Sequence, residues 1–306
     1  MARRRARGRD INGILLLNKS AGFTSNGALQ TAKRLLAGAK AGHTGSLDPL
    51  ATGMLPLCFG EATKFSQFLL DADKTYEVKA QLGVSTETGD ADGEVISQQP
   101  VTASAEEITQ ALLSFVGDIE QVPSMYSAIK HQGQPLYKLA RAGKEVERKP
   151  RPVTIYRIED IVVEGDELRF AVACSKGTYV RTLVEDVGAK LGCGAHVTGL
   201  HRTVVGPFAD EPMYTMDELG AMKQEGGFEA LDALVLPIDS AVRGWPAVHL
   251  GPDASYYIRQ GQPVMAPDRP DSGWVRIYSE EENAFIGVGE VQDDGMIAPR
   301  RLLAAY

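Results

Sequence analysis

A chain of 306 residues with 43% hydrophobic residues can bury a sizeable core, which excludes a disordered or fibrous protein and predicts one large domain plus a small one. Its net charge of −8 argues at face value against a polyanionic partner, and three cysteines (Cys58, Cys174, Cys193), with no Cys-x-x-Cys pair, exclude a disulfide framework and fit buried thiols in a reducing compartment. No uncharged apolar run approaches membrane-spanning length and MARRRARGRD lacks the apolar core of a signal peptide, so a cytoplasmic protein is expected.

The charge is unevenly distributed. Residues 1–47 hold nine Lys or Arg against one acid, and residues 124–152 hold seven against two, while the intervening and following stretches are acidic. Two basic islands on an acidic body suggest a directed polyanion contact. A basic tail and one solvated helix face would give the same count, and charge alone leaves both readings open.

In chain order, Ile14–Leu17 reads as a buried strand ending at Asn18-Lys19. Thr24 or Ser25 caps a helix whose apolar positions Ala28, Ala32, Leu35 and Leu36 share one face, and Gly38 ends it. GHTGSLDPLATGMLP (42–56) follows; three glycines and two prolines make it a shaped loop with Asp48 at its centre and His43 five residues earlier. Asp-Pro is also ordinary turn chemistry, with Asp48 capping its own backbone. The apolar run Met54–Phe59 leads to a short helix with Phe65, Phe68 and Leu69 inward. TYEVKAQL (75–82) alternates strictly and turns Tyr76, Val78, Ala80 and Leu82 to one face. Tyr76 is then a core aromatic, with a second role as cleft wall left open by its place at the strand's start.

Ser104 and Glu107 form a capping box for a helix carrying Ile108, Leu112, Phe115 and Val116. Residues 121–152 lack a long apolar period and interleave aromatics and amides with charge, among them Tyr126, Lys130, His131, Tyr137, Lys138 and Arg141. This predicts an inserted, partly helical excursion over a binding face, its cations meeting phosphates and its aromatics meeting bases or sugars. Strands over about 153–163 and 167–174 form a hairpin at Glu164-Gly165-Asp166. SKGTYVRTLVEDVGAKLG then feeds a helix with Val180, Leu183, Val184 and Val187 inward. Arg181 sits in its first turn, the unfavourable end for a cation, which a carboxylate partner or plain solvent exposure would explain. Cys193, His196 and His201 are spaced somewhat like metal ligands, but there is no fourth ligand nearby and the alternation His196, Thr198, Leu200 says strand, so no metal is expected. Neither a dinucleotide fingerprint nor a phosphate-binding loop is present, so no cofactor is expected. A helical stretch to about Ala241 and a linker at Gly244-Trp245-Pro246 precede short strands that suggest a small β-barrel.

Taken together, GILLLNK (13–19), GHTGSLDPLATGMLP (42–56), DKTYE (73–77), SKGTYVR (175–181) and the segment around Leu200 closely resemble the TruB family of tRNA pseudouridine synthases, which isomerise the uridine at position 55 in the T loop. The resemblance implies an α+β fold. A mixed, largely antiparallel sheet flanked by helices forms a catalytic domain over 11–243, behind a basic tail at 1–10. A thumb-like insertion occupies about 124–152, and a small PUA-like RNA-binding β-barrel covers 248–306. Asp48 corresponds to the catalytic aspartate, Tyr76 to the tyrosine that stacks on the target base, and Arg181 to the arginine paired with the aspartate. His43 corresponds to a histidine near the flipped nucleotides, Leu200 to a pocket-lining position, and Lys19 to a basic residue of the first motif. Tyr179, Lys130 and His131 are expected RNA contacts. Asn18-Lys19-Ser20 stands where the family has Asp-Lys-Pro. The T arm of tRNA is the implied partner, with no protein partner and a monomeric enzyme.

The chemistry fits these roles. Isomerisation breaks the bond from N1 to C1′, turns the ring and joins C5 to C1′, with no net redox change, so one ionised carboxylate can start it by attack or by proton abstraction. The uridine must be extruded and held against an aromatic face. Burial would neutralise the carboxylate, so a guanidinium is expected beside it.

Overall fold

The computed structural model describes residues 8–127 and 129–304, so the first seven residues of the expected basic tail lie outside the described residues. The strands of the larger body are β1 (Gly13–Lys19), β2 (Ala41–His43), β3 (Thr52–Phe59), β4 (Lys74–Leu82), β5 (Val84–Thr86), β6 (Val95–Gln98), β7 (Gly117–Gln121), β8 (Lys130–His131), β9 (Gln134–Pro135), β10 (Arg151–Glu164), β11 (Glu167–Cys174) and β12 (Ala195–Val205). Its helices are α1 (Ser25–Leu35), α2 (Ser66–Leu70), α3 (Ala105–Leu113), α4 (Leu136–Arg141), α5 (Val180–Leu191) and α6 (Met216–Asp232). One eight-stranded sheet runs β1-β3-β12-β4-β11-β10-β7, with β2 added to β3. Its pairs are antiparallel except β3 with β12, which makes the sheet mixed and largely antiparallel.

Local chemistry explains the elements that carry the site. Thr24 caps α1 by accepting from the Gly27 amide at 3.0 Å, and Ser104 with Glu107 closes the capping box of α3. On β4 the alternation turns Tyr76, Val78, Ala80 and Leu82 into the main core with Leu183, Val184 and Val187 of α5. α5 has no side-chain cap. Its start is held instead by Gln121 of β7, whose amide accepts from the Tyr179 N–H at 3.0 Å and donates to the Tyr179 carbonyl at 3.3 Å. This two-point bond fixes the turn that carries Arg181. The insertion contains the β8–β9 hairpin and α4, tied down by buried Leu136 and by Arg148, which donates to the Pro123 carbonyl at 3.1 Å.

The C-terminal residues fold as β13 (Ala247–Leu250), α7 (Pro252–Arg259), β14 (Gly273–Ser279), β15 (Ala284–Val291) and β16 (Ile297–Leu302), a sheet in that strand order with Val264 bridged to Ile297. Of Gly244-Trp245-Pro246, expected as a linker, Gly244 and Pro246 are exposed, while the Trp245 ring lies 4.9 Å from Phe68 and 5.1 Å from Trp274. Among the described residues no helix is long and apolar enough to cross a membrane.

Candidate active site

Asp48 is positioned by its neighbours on both sides. The Leu47 amide donates to the Ser25 hydroxyl at 2.7 Å, and the Gly22 amide donates to the Pro49 carbonyl at 2.9 Å. The turn bond uses the Asp48 carbonyl, which accepts from the Ala51 amide at 3.1 Å; the carboxylate is turned towards Arg181. Of the two readings of this aspartate, the backbone makes the turn and the side chain is free for chemistry. Gly53, at φ 96°, lets β3 approach β12 so closely that a Cβ would stand 2.3 Å from the Arg202 carbonyl.

Arg181 Nε lies 3.1 Å from Asp48 Oδ2. The rest of the guanidinium is spoken for: Nη1 is 3.2 Å from Asp90 Oδ2 and donates to the Thr88 carbonyl at 2.7 Å, while Nη2 donates to the Tyr126 carbonyl at 2.9 Å. Arg181 and Asp90 are both about 5% exposed at the side chain, whereas Asp48 is 41% exposed, its open edge facing the cavity. Burial on its remaining sides pushes the Asp48 pKa up; Arg181 opposes the shift and the nearby Asp90 charge adds to it. The sequence reading expected one guanidinium to hold the carboxylate ionised. The structure differs because that charge is divided between two carboxylates.

The pH dependence follows from this sign. The Asp48 pKa is raised, so a reaction started by its ionised carboxylate would be lost on acidification at a pH above the usual aspartate range. Asp90→Asn removes a neighbouring negative charge, and the acid limb of the pH profile of kcat moves to lower pH; a limb that stays put shows that Asp90 does not act on Asp48.

The cavity beside Asp48 has a volume of about 300 Å³ and is lined by Tyr76, Tyr126, Ser127, Tyr179, Arg181, Leu200 and Arg202, among others. Two β-bulges in β12 aim its side chains. Thr198 is the extra residue between Val197 and Gly199, and Thr203 the extra one between Arg202 and Val204. The first bulge reverses the phase of the strand, so that Leu200 and Arg202 share the cavity side while Thr198 is exposed. Arg202, 1% exposed, is paired across the ladder with Tyr76 and donates from Nε to the Met54 carbonyl at 2.7 Å and from Nη2 to the Gly45 carbonyl at 3.1 Å.

The structure thus gathers Asp48, Tyr76, Tyr179, Arg181 and Leu200 around one cavity and leaves the other expected residues outside its lining. His43 on β2 is half-buried; its Nδ1 has no hydrogen-bond partner among the described residues, and burial followed by the Arg202 charge lowers its pKa. Lys130 and His131 line a separate cleft of about 570 Å³ with Arg148, Lys149 and Arg151. Lys19, expected as a basic RNA contact, is 1% exposed. Its ammonium donates to the Phe23, Ser20 and Pro49 carbonyls at 2.8, 3.0 and 3.3 Å, and burial lowers its pKa to about 8. Its side chain clamps the loop behind Asp48. Lys19→Met leaves three carbonyls without their donor and lowers stability by about 2 kcal/mol in urea unfolding; unchanged stability shows that the ammonium serves another purpose.

Sequence reasoning missed Asp90 and Arg202 as site residues, whereas Tyr126, expected over a binding face, lines the cavity. TETGDADG (86–93) reads as turn chemistry, and nothing local says which of its acids is buried. Arg202 carried a usable signal: an arginine among apolar strand residues, which needs buried acceptors.

Residues 33–180 match the family described as TruB family pseudouridylate synthase (N terminal domain). Residues 181–243 match the tRNA pseudouridylate synthase B C-terminal domain, and residues 246–303 match Pseudouridine synthase II TruB, C-terminal. The tRNA pseudouridine synthase B of Stutzerimonas stutzeri (strain A1501) is 59% identical over 295 residues, 96% of each chain. That of Tolumonas auensis (strain DSM 9187 / NBRC 110442 / TA 4) is 55% identical over 307 residues, 98% of this chain and 95% of its own. Among solved structures, a chain of a Cbf5-Nop10-Gar1 complex is similar with a TM-score of 0.72 and 26% identity, over 95% of this chain and 84% of that chain. A chain of an H/ACA RNP bound to a substrate RNA containing 2'-deoxyuridine shares the fold, with a TM-score of 0.73 and 23% identity over 99% and 92% of the two chains. With family matches along most of its length and relatives this similar over nearly the whole chain, the chain belongs to the TruB family of pseudouridylate synthases, enzymes of the isomerase class.

Proposed function

We propose that this protein isomerises the T-loop uridine of tRNA at position 55 to pseudouridine, as a cytoplasmic monomer needing neither guide RNA nor partner protein. The observation that carries the reading is the 3.1 Å pair of Arg181 and Asp48 at the wall of a cavity that Tyr76 also lines. A cavity of about 300 Å³ is at the small end of ligand sites and suits one extruded nucleotide. Among the described residues Asp48 is the single carboxylate lining it; Tyr76 and Leu200 present apolar surface to the base, and Arg181 and Arg202 supply the positive field that favours an ionised carboxylate and the developing charge of the sugar–base exchange. The two bond changes balance within one nucleotide: N1–C1′ breaks, C5–C1′ forms, and the proton lost from C5 is matched by one gained at N1.

Support for tRNA as the substrate comes from the name shared by the relatives, tRNA pseudouridine synthase B. The basic cleft of the insertion, with Lys130, Arg148, Lys149 and Arg151, offers phosphate contacts beside the site. The test is nucleoside analysis of a uridine-labelled T-arm hairpin after incubation with the pure protein. Pseudouridine at the T-loop uridine alone supports the reading; RNA that is bound and stays unmodified refutes it.

A further inference from the structure

We infer that the groove between α2 and the C-terminal sheet binds an unpaired stretch of the same RNA whose uridine enters the Asp48 cavity, a subsite that rests on the RNA-isomerase reading. The chain has two tryptophans, and both stand here. Trp245 and Trp274 lie 5.1 Å apart, and Phe68 of α2 meets them edge-on at 4.9 and 5.3 Å. The inner sides of these half-buried rings pack on a core that runs from β1 and α2 to Val288 of β15. Their outer sides line two adjoining hollows. One, of about 560 Å³, is rimmed by Lys64, Gln67, Glu290, Arg300 and Arg301; the other, of about 450 Å³, shares Phe68, Asp71 and Trp245 with it. Hollows of this size admit a nucleoside-sized ligand.

Aromatic surfaces beside guanidinium groups hold single-stranded nucleic acid, because every base has a stacking face and every nucleotide a phosphate. The rim charges leave a positive remainder. Asp71 is engaged by Lys176 at 3.0 Å and Glu290 by Arg300 at 2.7 Å, while exposed Arg301 donates to the Arg300 carbonyl and has no acid partner among the described residues. The groove also adjoins the wall of the catalytic cavity. Leu70 lines the cavity and its neighbour Asp71 lines the groove; Lys176, which binds Asp71, lies between Ser175 and Gly177 of the cavity wall. An RNA seated at Asp48 is therefore separated from the tryptophans by one shared wall.

Since no tryptophan lines the catalytic cavity while Tyr76, Tyr126 and Tyr179 do, selectively excited tryptophan emission, rather than total intrinsic fluorescence, reports on the groove. The test titrates the full chain with an adenosine hexamer, which offers Asp48 no uridine, and follows tryptophan emission alongside isomerisation of a T-arm hairpin. Saturable quenching is expected. Arg301→Glu, on the exposed rim, weakens hexamer binding roughly tenfold and raises the KM for the hairpin; Trp274→Leu removes most of the quench. Emission that ignores the hexamer, or responds equally to a poly-glutamate peptide of the same charge, overturns the groove as a nucleotide site even when the hairpin is isomerised at full rate. Quenching without isomerisation supports the groove and sinks the isomerase reading instead.

Discussion

Asp48→Asn abolishes pseudouridine formation, by about 10⁴-fold or more, while affinity for the T-arm RNA stays within about threefold. The substitution is isosteric and removes one charge. Asp48 is partly open to the cavity and its turn is made by its own carbonyl, by Ser25 and by Lys19, so the loop keeps its shape without the carboxylate. What is lost is the anionic oxygen that the proposed bond exchange requires, which the neutral amide cannot supply. Single-turnover assays and filter binding on the same transcript separate the two effects. Retained turnover would return Asp48 to the role of a turn residue, and a parallel loss of binding would make it a recognition group.

Arg181→Lys is expected to lower kcat by roughly 10²- to 10³-fold with little change in KM, the cost of losing one preorganised charge-stabilising group. The guanidinium spans four acceptors at once: Asp48, Asp90 and the carbonyls of Thr88 and Tyr126. A lysine ammonium keeps the charge, so neither carboxylate is left without a cation, but one nitrogen cannot hold a planar fork of contacts. Stability falls by about 1–2 kcal/mol as the buried carbonyls lose their donor. Rapid-quench kinetics with thermal unfolding of the same variant distinguish this from a folding defect; turnover that falls only in proportion to stability would remove Arg181 from the chemistry.

Much of the site's composition was legible before any coordinates. The glycine- and proline-rich loop marked Asp48, the alternation of β4 sent Tyr76 inward, and a cation in the first turn of α5 had a carboxylate partner as one of two explanations. Each of these signals is local, decided by backbone conformation, side-chain period or helix dipole within a few residues. Lys19 shows the limit. The resemblance made it a basic RNA contact, yet burial and three carbonyls make it a clamp, and no local pattern reports burial.

The sequence by itself determined the family, the alternation of strands and capped helices, and the residue types from which an acid-dependent isomerase is built. Tertiary structure alone decided that Asp90 shares Arg181 with Asp48, that the bulge at Thr198 in β12 brings Leu200 and Arg202 to the cavity, and that Trp245 and Trp274 meet Phe68. These pairs are separated by tens to well over a hundred positions in the chain. Their meeting depends on strand order, register and the burial of a shared core, which are properties of the whole packed molecule.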